Sequence, residues 1–174
     1  MQRSACILIS ILKNSNTYGY GLDISPDALK IALLNVKNHE CQSKCMLIES
    51  DFQTIKLPPF TILNLIVSNP PYLTPTKSKT FDRIGEEPDI ALFSSDEKGL
   101  QSYLDIKMGI EKIPDNLAAT CFLVVEIGNG MKEKVIKVFK NSSRSLVIFE
   151  FFKVVKDFKA LERCLVFKIS KIKN

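Results

Sequence analysis

The residues best suited to chemistry are Asn69-Pro70-Pro71-Tyr72, which close an apolar run, Ile62–Val67. A planar NH2 group on an amide or an aromatic base is a poor nucleophile, because its lone pair is delocalised. Two acceptors, one for each N–H, hold such a nitrogen and help localise that pair. The Asn69 side-chain oxygen and the Pro70 carbonyl supply them. The two prolines stiffen the turn and remove competing donors. Tyr72 offers a flat face against which a planar group stacks. Orientation toward an electrophile then does most of the work. A cationic methyl donor needs neither metal nor strong base, since the proton can leave after transfer. The alternative is a proline-stiffened strand end with no chemistry.

Two acidic residues end other strand-like segments. Asp23 follows Thr17–Leu22, and a carboxylate there can accept both hydroxyls of a nucleoside ribose. Its alternative role is helix N-terminal charge, because Ser25 and Pro26 follow at once. Asp51-Phe52 offers an acceptor for an adenine amine and a ring for stacking; the alternative is a turn residue followed by a core residue. Metal chemistry has little support. His39 is the single histidine, and Cys41-x-x-x-Cys45 has no second ligand pair. The odd count of five cysteines, three of them in apolar runs, fits a reducing cytoplasm.

These residues need a scaffold. Ser4–Lys13 reads as a helix and Thr17–Leu22 as a strand. Ser25-Pro26-Asp27 opens a helix to about Lys37, with Ser25 as N-cap and Pro26 at the first helical position. Cys45–Glu49 is a strand. Ile62–Val67 and Thr120–Ile127 are continuous apolar runs, predicted as strands buried on both faces. Residues 73–97 read as loop. Leu100–Ile113 and Lys132–Lys140 are predicted helices, and Ser145–Val155 with Arg163–Ile169 a final antiparallel pair. Strands alternating with helices imply one α/β domain over residues 1–174 with a largely parallel sheet. In such sheets ligands bind beyond the carboxyl ends of the strands, where Asp23, Asp51 and Asn69 are expected to converge.

The chain has 174 residues, 45% hydrophobic and 25% charged, the composition of an ordinary globular protein. No apolar run approaches the roughly 20 residues that cross a bilayer. The net charge of +5 is uneven: residues 1–100 carry −1 and residues 101–174 carry +6. A basic half suits a polyanion, but 20 of the 24 cations are lysines without interleaved aromatics, which argues for a solvated face and against nucleic acid.

At these residues the chain resembles the N5-glutamine methyltransferases of peptide chain release factors (HemK/PrmC type), within the Rossmann-like S-adenosylmethionine methyltransferases. Gly21-Leu22-Asp23-Ile24-Ser25-Pro26-Asp27-Ala28-Leu29 matches that family's cofactor-ribose segment, Ser50-Asp51-Phe52 its adenine segment, and Val67-Ser68-Asn69-Pro70-Pro71-Tyr72 its catalytic segment. Glu87-Pro88 with Ala91-Leu92, then Asp96, Gly99-Leu100 and Tyr103, match a stretch specific to it. Val125-Glu126-Ile127-Gly128 and Asp157 with Glu162-Arg163 match its late strands. The resemblance implies a mostly parallel sheet with an antiparallel C-terminal strand. It implies methyl transfer from S-adenosylmethionine to the amide of a Gly-Gly-Gln glutamine in a release factor. The cofactor would be held by Asp23, Ile24, Asp51, Phe52 and Asn69. The substrate would be held by Asn69, Pro70, Pro71, Tyr72, Glu87 and Pro88.

The sequence departs from that pattern. Met1 to Ala5 fall on the family's Gly-rich cofactor loop, with Arg3 and Ala5 where glycines are expected, and Met131 stands where the family usually has Gln. Against that pattern the first, central strand of the sheet and the N-terminal helical domain are expected to be missing, which would leave two bare strand edges. A complementing N-terminal chain would restore the loop. Two other readings stay open: an adenine-N6 methyltransferase acting on DNA or RNA, since the same corner serves a flipped base, and an inactive remnant that only binds.

Overall fold

The computed structural model describes residues 5–72, 96, 99–140 and 145–172. They fall into two compact units, divided between Lys56 and Leu57.

The first unit holds α1 (Cys6–Lys13), β1 (Gly19–Asp23), α2 (Pro26–Asn38) and β2 (Cys45–Glu49). β1 and β2 run parallel in register, Gly19 opposite Cys45 and Asp23 opposite Glu49. Leu8, Leu12, Ala32, Val36 and Cys41 form the core under them. The sequence signals for α2 hold: Ser25 accepts the Ala28 N–H at 3.2 Å and Pro26 starts the helix. α1 begins at Cys6, and the preceding Ala5 is buried in the left-handed conformation, φ 57°. An alanine there carries the Cβ strain that glycine avoids.

The second unit holds β3 (Leu63–Ser68), α3 (Gln101–Glu111), β4 (Leu117–Glu126), α4 (Lys132–Lys140), β5 (Val147–Lys156) and β6 (Glu162–Lys171). The strand order is β3-β4-β6-β5, with β3 parallel to β4 and the other pairs antiparallel. Cys121, Leu123 and Val125 of β4 and Leu165, Phe167 and Ile169 of β6 point into one core. Phe139 of α4 packs there, its ring 4.7 Å from that of Phe167 and 5.2 Å from that of Phe149. Each such side chain contributes on the order of 1.5–3 kcal/mol by leaving water. Lys107 of α3 donates to the Val138 carbonyl at 3.1 Å and ties the two helices.

Two expectations are corrected. Ile62–Val67 is not buried on both faces: Leu65 is 45% exposed, and β3 has β4 as its only strand neighbour among the described residues. Thr120–Ile127 is not fully buried either; β4 alternates, because Phe122 and Val124 turn to the face opposite the core and are half-buried. A continuous apolar spelling does not distinguish these cases. β1 likewise has one strand neighbour, so each sheet shows a bare edge among the described residues. No helix of the described residues is long and apolar enough to cross a membrane.

Candidate active site

In the first unit the site residues sit at the carboxyl ends of two adjacent parallel strands. Asp23 ends β1 and is 5% exposed. Its Oδ1 accepts the Ser25 N–H at 2.9 Å, which fixes the carboxylate at the mouth of α2. Its Oδ2 is buried and has no hydrogen-bond partner among the described residues. A buried carboxylate oxygen without a donor carries a desolvation cost that a ligand hydroxyl relieves. Ile24 follows, 48% exposed. Asp51 lies two residues beyond β2 and is exposed; its Oδ1 accepts the Thr54 N–H at 2.6 Å and the Thr54 hydroxyl at 2.7 Å. Phe52 is half-buried. One backbone donor thus occupies one Asp23 oxygen and, among the described residues, the other is left for a hydroxyl, while Asp51 organises its own turn.

In the second unit Asn69 follows β3 directly, half-buried, and Pro70 is buried. Tyr72 meets three other residues of this unit. Its hydroxyl donates to Glu126 Oε1 at 3.2 Å. Its ring lies on Gly128: a Cβ there would stand 3.0 Å from Tyr72 Cδ2. Its carbonyl passes over Gly99, where a Cβ would come within 2.5 Å of the oxygen. Gly99 has φ +69°, a conformation glycine adopts without strain. Burial first, then the charge and hydrogen bond of Glu126, push the Tyr72 phenol up to about 12, against a smaller opposing pull from Arg163. Tyr72 is therefore a protonated donor at neutral pH, not a general base.

The segment around Gly99 has its own order. Asp96 accepts the N–H groups of Leu100 and Gln101 at 2.9 and 3.0 Å and so caps α3. Tyr103, fully buried, donates to the Glu126 carbonyl at 2.8 Å. Glu87 and Pro88, with the loop reading for residues 73–95, lie outside the described residues. The sequence reading did not single out Gly99, Glu126 or Gly128 as partners of Tyr72. A glycine two residues past an acidic strand end was the available signal. Burial raises the Cys45, Cys121 and Cys164 thiols, Cys121 to about 11, so none of these three is an activated nucleophile.

No family model matches the chain. It is 35% identical over 142 residues to a bifunctional methyltransferase of Rickettsia typhi, which covers 79% of this chain and 26% of that protein. It is 29% identical over 170 residues to a release factor glutamine methyltransferase of Rhodospirillum rubrum, covering 94% of this chain and 47% of that protein. A ribosomal protein uL3 glutamine methyltransferase of Francisella tularensis is 34% identical over 110 residues, or 62% of this chain and 33% of that protein. The chain thus spans less than half the length of these relatives. Among solved structures, a methyltransferase from Pyrococcus furiosus matches 94% of this chain and 68% of its own, with TM-score 0.60 at 15% identity. A ribosomal protein L11 methylase from Lactobacillus delbrueckii matches 98% and 66%, with TM-score 0.56 at 12% identity. The fold is the Rossmann-like α/β fold of S-adenosylmethionine-dependent methyltransferases, a mixed sheet with antiparallel C-terminal strands. The sequence is a distant homologue of release factor glutamine methyltransferases and of bifunctional methyltransferases.

Proposed function

We propose that this homologue transfers a methyl group from S-adenosylmethionine to the side-chain amide of a protein glutamine, that of the Gly-Gly-Gln motif of a peptide chain release factor. The observation that carries the reading is the Asn69-Pro70-Pro71-Tyr72 corner at the carboxyl end of β3, with Tyr72 held by Glu126. The relatives supply the chemistry's name, since two of them are glutamine methyltransferases of protein substrates.

In this reading Asp23 takes the ribose hydroxyls on its donor-free oxygen, while Ile24 and Phe52 contact the adenosine and Asp51 accepts from its adenine amine. When bound, the sulfonium supplies an activated methyl carbon. Asn69 Oδ1 and the Pro70 carbonyl each accept one N–H of the glutamine amide and hold its nitrogen against resonance. The amide nitrogen so held would take the methyl carbon as the carbon–sulfur electrons return to sulfur, and the surplus amide proton would leave to water. Pro71 stiffens the corner, Tyr72 stacks on the amide plane, and Glu87 with Pro88 contacts the release factor.

The test is transfer of labelled methyl to a release factor, to a Gly-Gly-Gln peptide and to DNA and RNA. The chain is assayed alone and with the N-terminal half of the Rhodospirillum rubrum relative added. Labelling of the factor that Asn69→Ala abolishes is expected. Labelling of nucleic acid alone, or equal labelling by Asn69→Ala, would overturn the reading.

A further inference from the structure

We infer that Glu126, itself held by Tyr103, is a positioning residue for the Asn-Pro-Pro-Tyr corner, holding the Tyr72 ring in a seat built from Gly99 and Gly128. The inference rests on the reading above for what the corner does, and on the geometry of the second unit for how it is held.

A planar ring is fixed when its backbone, its face and its far end are all restrained. The Tyr72 carbonyl is restrained at Gly99, where no side chain fits. One side of the ring, Cδ2 and Cε2, lies against Gly128, where a Cβ would press at 3.0 Å on both Tyr72 Cδ2 and the Met131 sulfur. The hydroxyl is bonded to Glu126, 54 residues away in the chain. Without that bond the first two contacts still allow the ring to swing about its Cα–Cβ bond. Glu126 is itself immobilised. It ends β4 opposite Cys164 of β6, its carbonyl accepts from Tyr103, and the next residue, Ile127, donates to the Arg163 carbonyl at 2.8 Å. The backbone of Glu126 is thus held by Tyr103 and β6, and its carboxyl group is left to hold Tyr72. Among the described residues the charged and titratable groups around the Tyr72 phenol are Glu126, Arg163, Cys164 and the Tyr103 phenol.

Glu126 touches no reacting atom in this scheme. It acts through Tyr72, so its loss weakens acceptor binding and leaves cofactor binding, at Asp23, unchanged. A neutral amide oxygen still accepts from the Tyr72 hydroxyl, though more weakly than a carboxylate, so glutamine at 126 preserves most of the seat.

The experiment compares Glu126→Ala, Glu126→Gln, Tyr72→Phe and the Glu126→Ala/Tyr72→Phe pair in the full chain. With a Gly-Gly-Gln peptide as acceptor, Glu126→Ala is expected to raise KM about tenfold, the worth of one hydrogen bond to a charged group. Glu126→Gln should restore most of it, and Glu126→Ala should add nothing in the Tyr72→Phe background. An unchanged KM in Glu126→Ala, or a loss in Glu126→Gln as large as in Glu126→Ala, overturns the inference. A second arm needs no turnover. In protein labelled with 3-fluorotyrosine, the Tyr72 fluorine resonance, assigned by its loss in Tyr72→Phe, should titrate at lower pH in Glu126→Gln than in the parent. An identical titration also overturns the inference. If the parent transfers no methyl either alone or with the N-terminal half of the Rhodospirillum rubrum relative added, the proposed function fails, and the fluorine titration still decides the seat.

Discussion

Gly99→Ala is the sharpest perturbation the structure offers, because two separable costs meet at one atom. Gly99 has φ +69°, and an L-residue there is strained by about 1–2 kcal/mol. The new Cβ would also lie 2.5 Å from the Tyr72 carbonyl oxygen. A backbone oxygen cannot rotate away, so the chain must shift, which costs about 1–3 kcal/mol. The lower entropy of the unfolded alanine chain returns about 0.4–1 kcal/mol. The net is about 2–3 kcal/mol, a fall in Tm of about 5–10 °C for a chain of this size. Gly130→Ala is the internal control. Gly130 has φ +75° but open space around its Cβ position, so it meets the conformational cost alone, about 0.5–1 kcal/mol. Urea denaturation of the two variants, followed by circular dichroism, separates the overlap from the dihedral strain. Equal midpoints for both would refute the close approach of Tyr72 to Gly99, and with it the seat.

Other outcomes follow from single observations. Asp23→Asn replaces the carboxylate whose Oδ2 lacks a donor, and S-adenosylmethionine affinity by calorimetry should fall at least about tenfold with the far-ultraviolet spectrum unchanged; equal affinity would remove Asp23 from the cofactor site. Ala5→Gly relieves a left-handed alanine and should stabilise the chain by up to about 1 kcal/mol in urea denaturation. Arg163, bonded to Asp157 at 2.8 Å, with the Leu161 and Lys159 N–H groups, holds the Asp157 carboxyl below its usual range. A lowered folded-state value makes that stability present above the unfolded value and lost as pH falls through the folded one. Asp157→Asn should therefore flatten the acid limb of a stability-against-pH curve and lower stability at neutral pH; an unchanged acid limb would contradict the assignment.

Much of the scaffold was legible in local chemistry. Ser25-Pro26 announced α2 through capping and a fixed proline φ, and both features are present. The antiparallel ending was legible in two apolar runs divided by the polar turn Asp157–Ala160. Exposure was not legible, because Leu65 and Leu123 are spelled alike while only the second is buried. Nor was the partner of Tyr72. A bond across 54 residues leaves no periodic trace, and Glu126 and Gly128 gain meaning only once β4 lies beside β3. Asp51 shows the ambiguity of a short acidic residue after a strand, since the same carboxylate that suits an amine also closes its own turn onto Thr54.

The bare edge of β3 carries a solubility hazard. Its six residues, Leu-Asn-Leu-Ile-Val-Ser, contain no charge, no proline and no glycine, and one side of their peptide groups has no strand to bond among the described residues. Such a segment is a template for cross-β stacking, and natural proteins blunt it with lysine, proline or a covering element. Aggregation of the purified chain should therefore rise with concentration and begin at Leu63–Ser68, and a lysine in place of Leu65 should keep it dispersed.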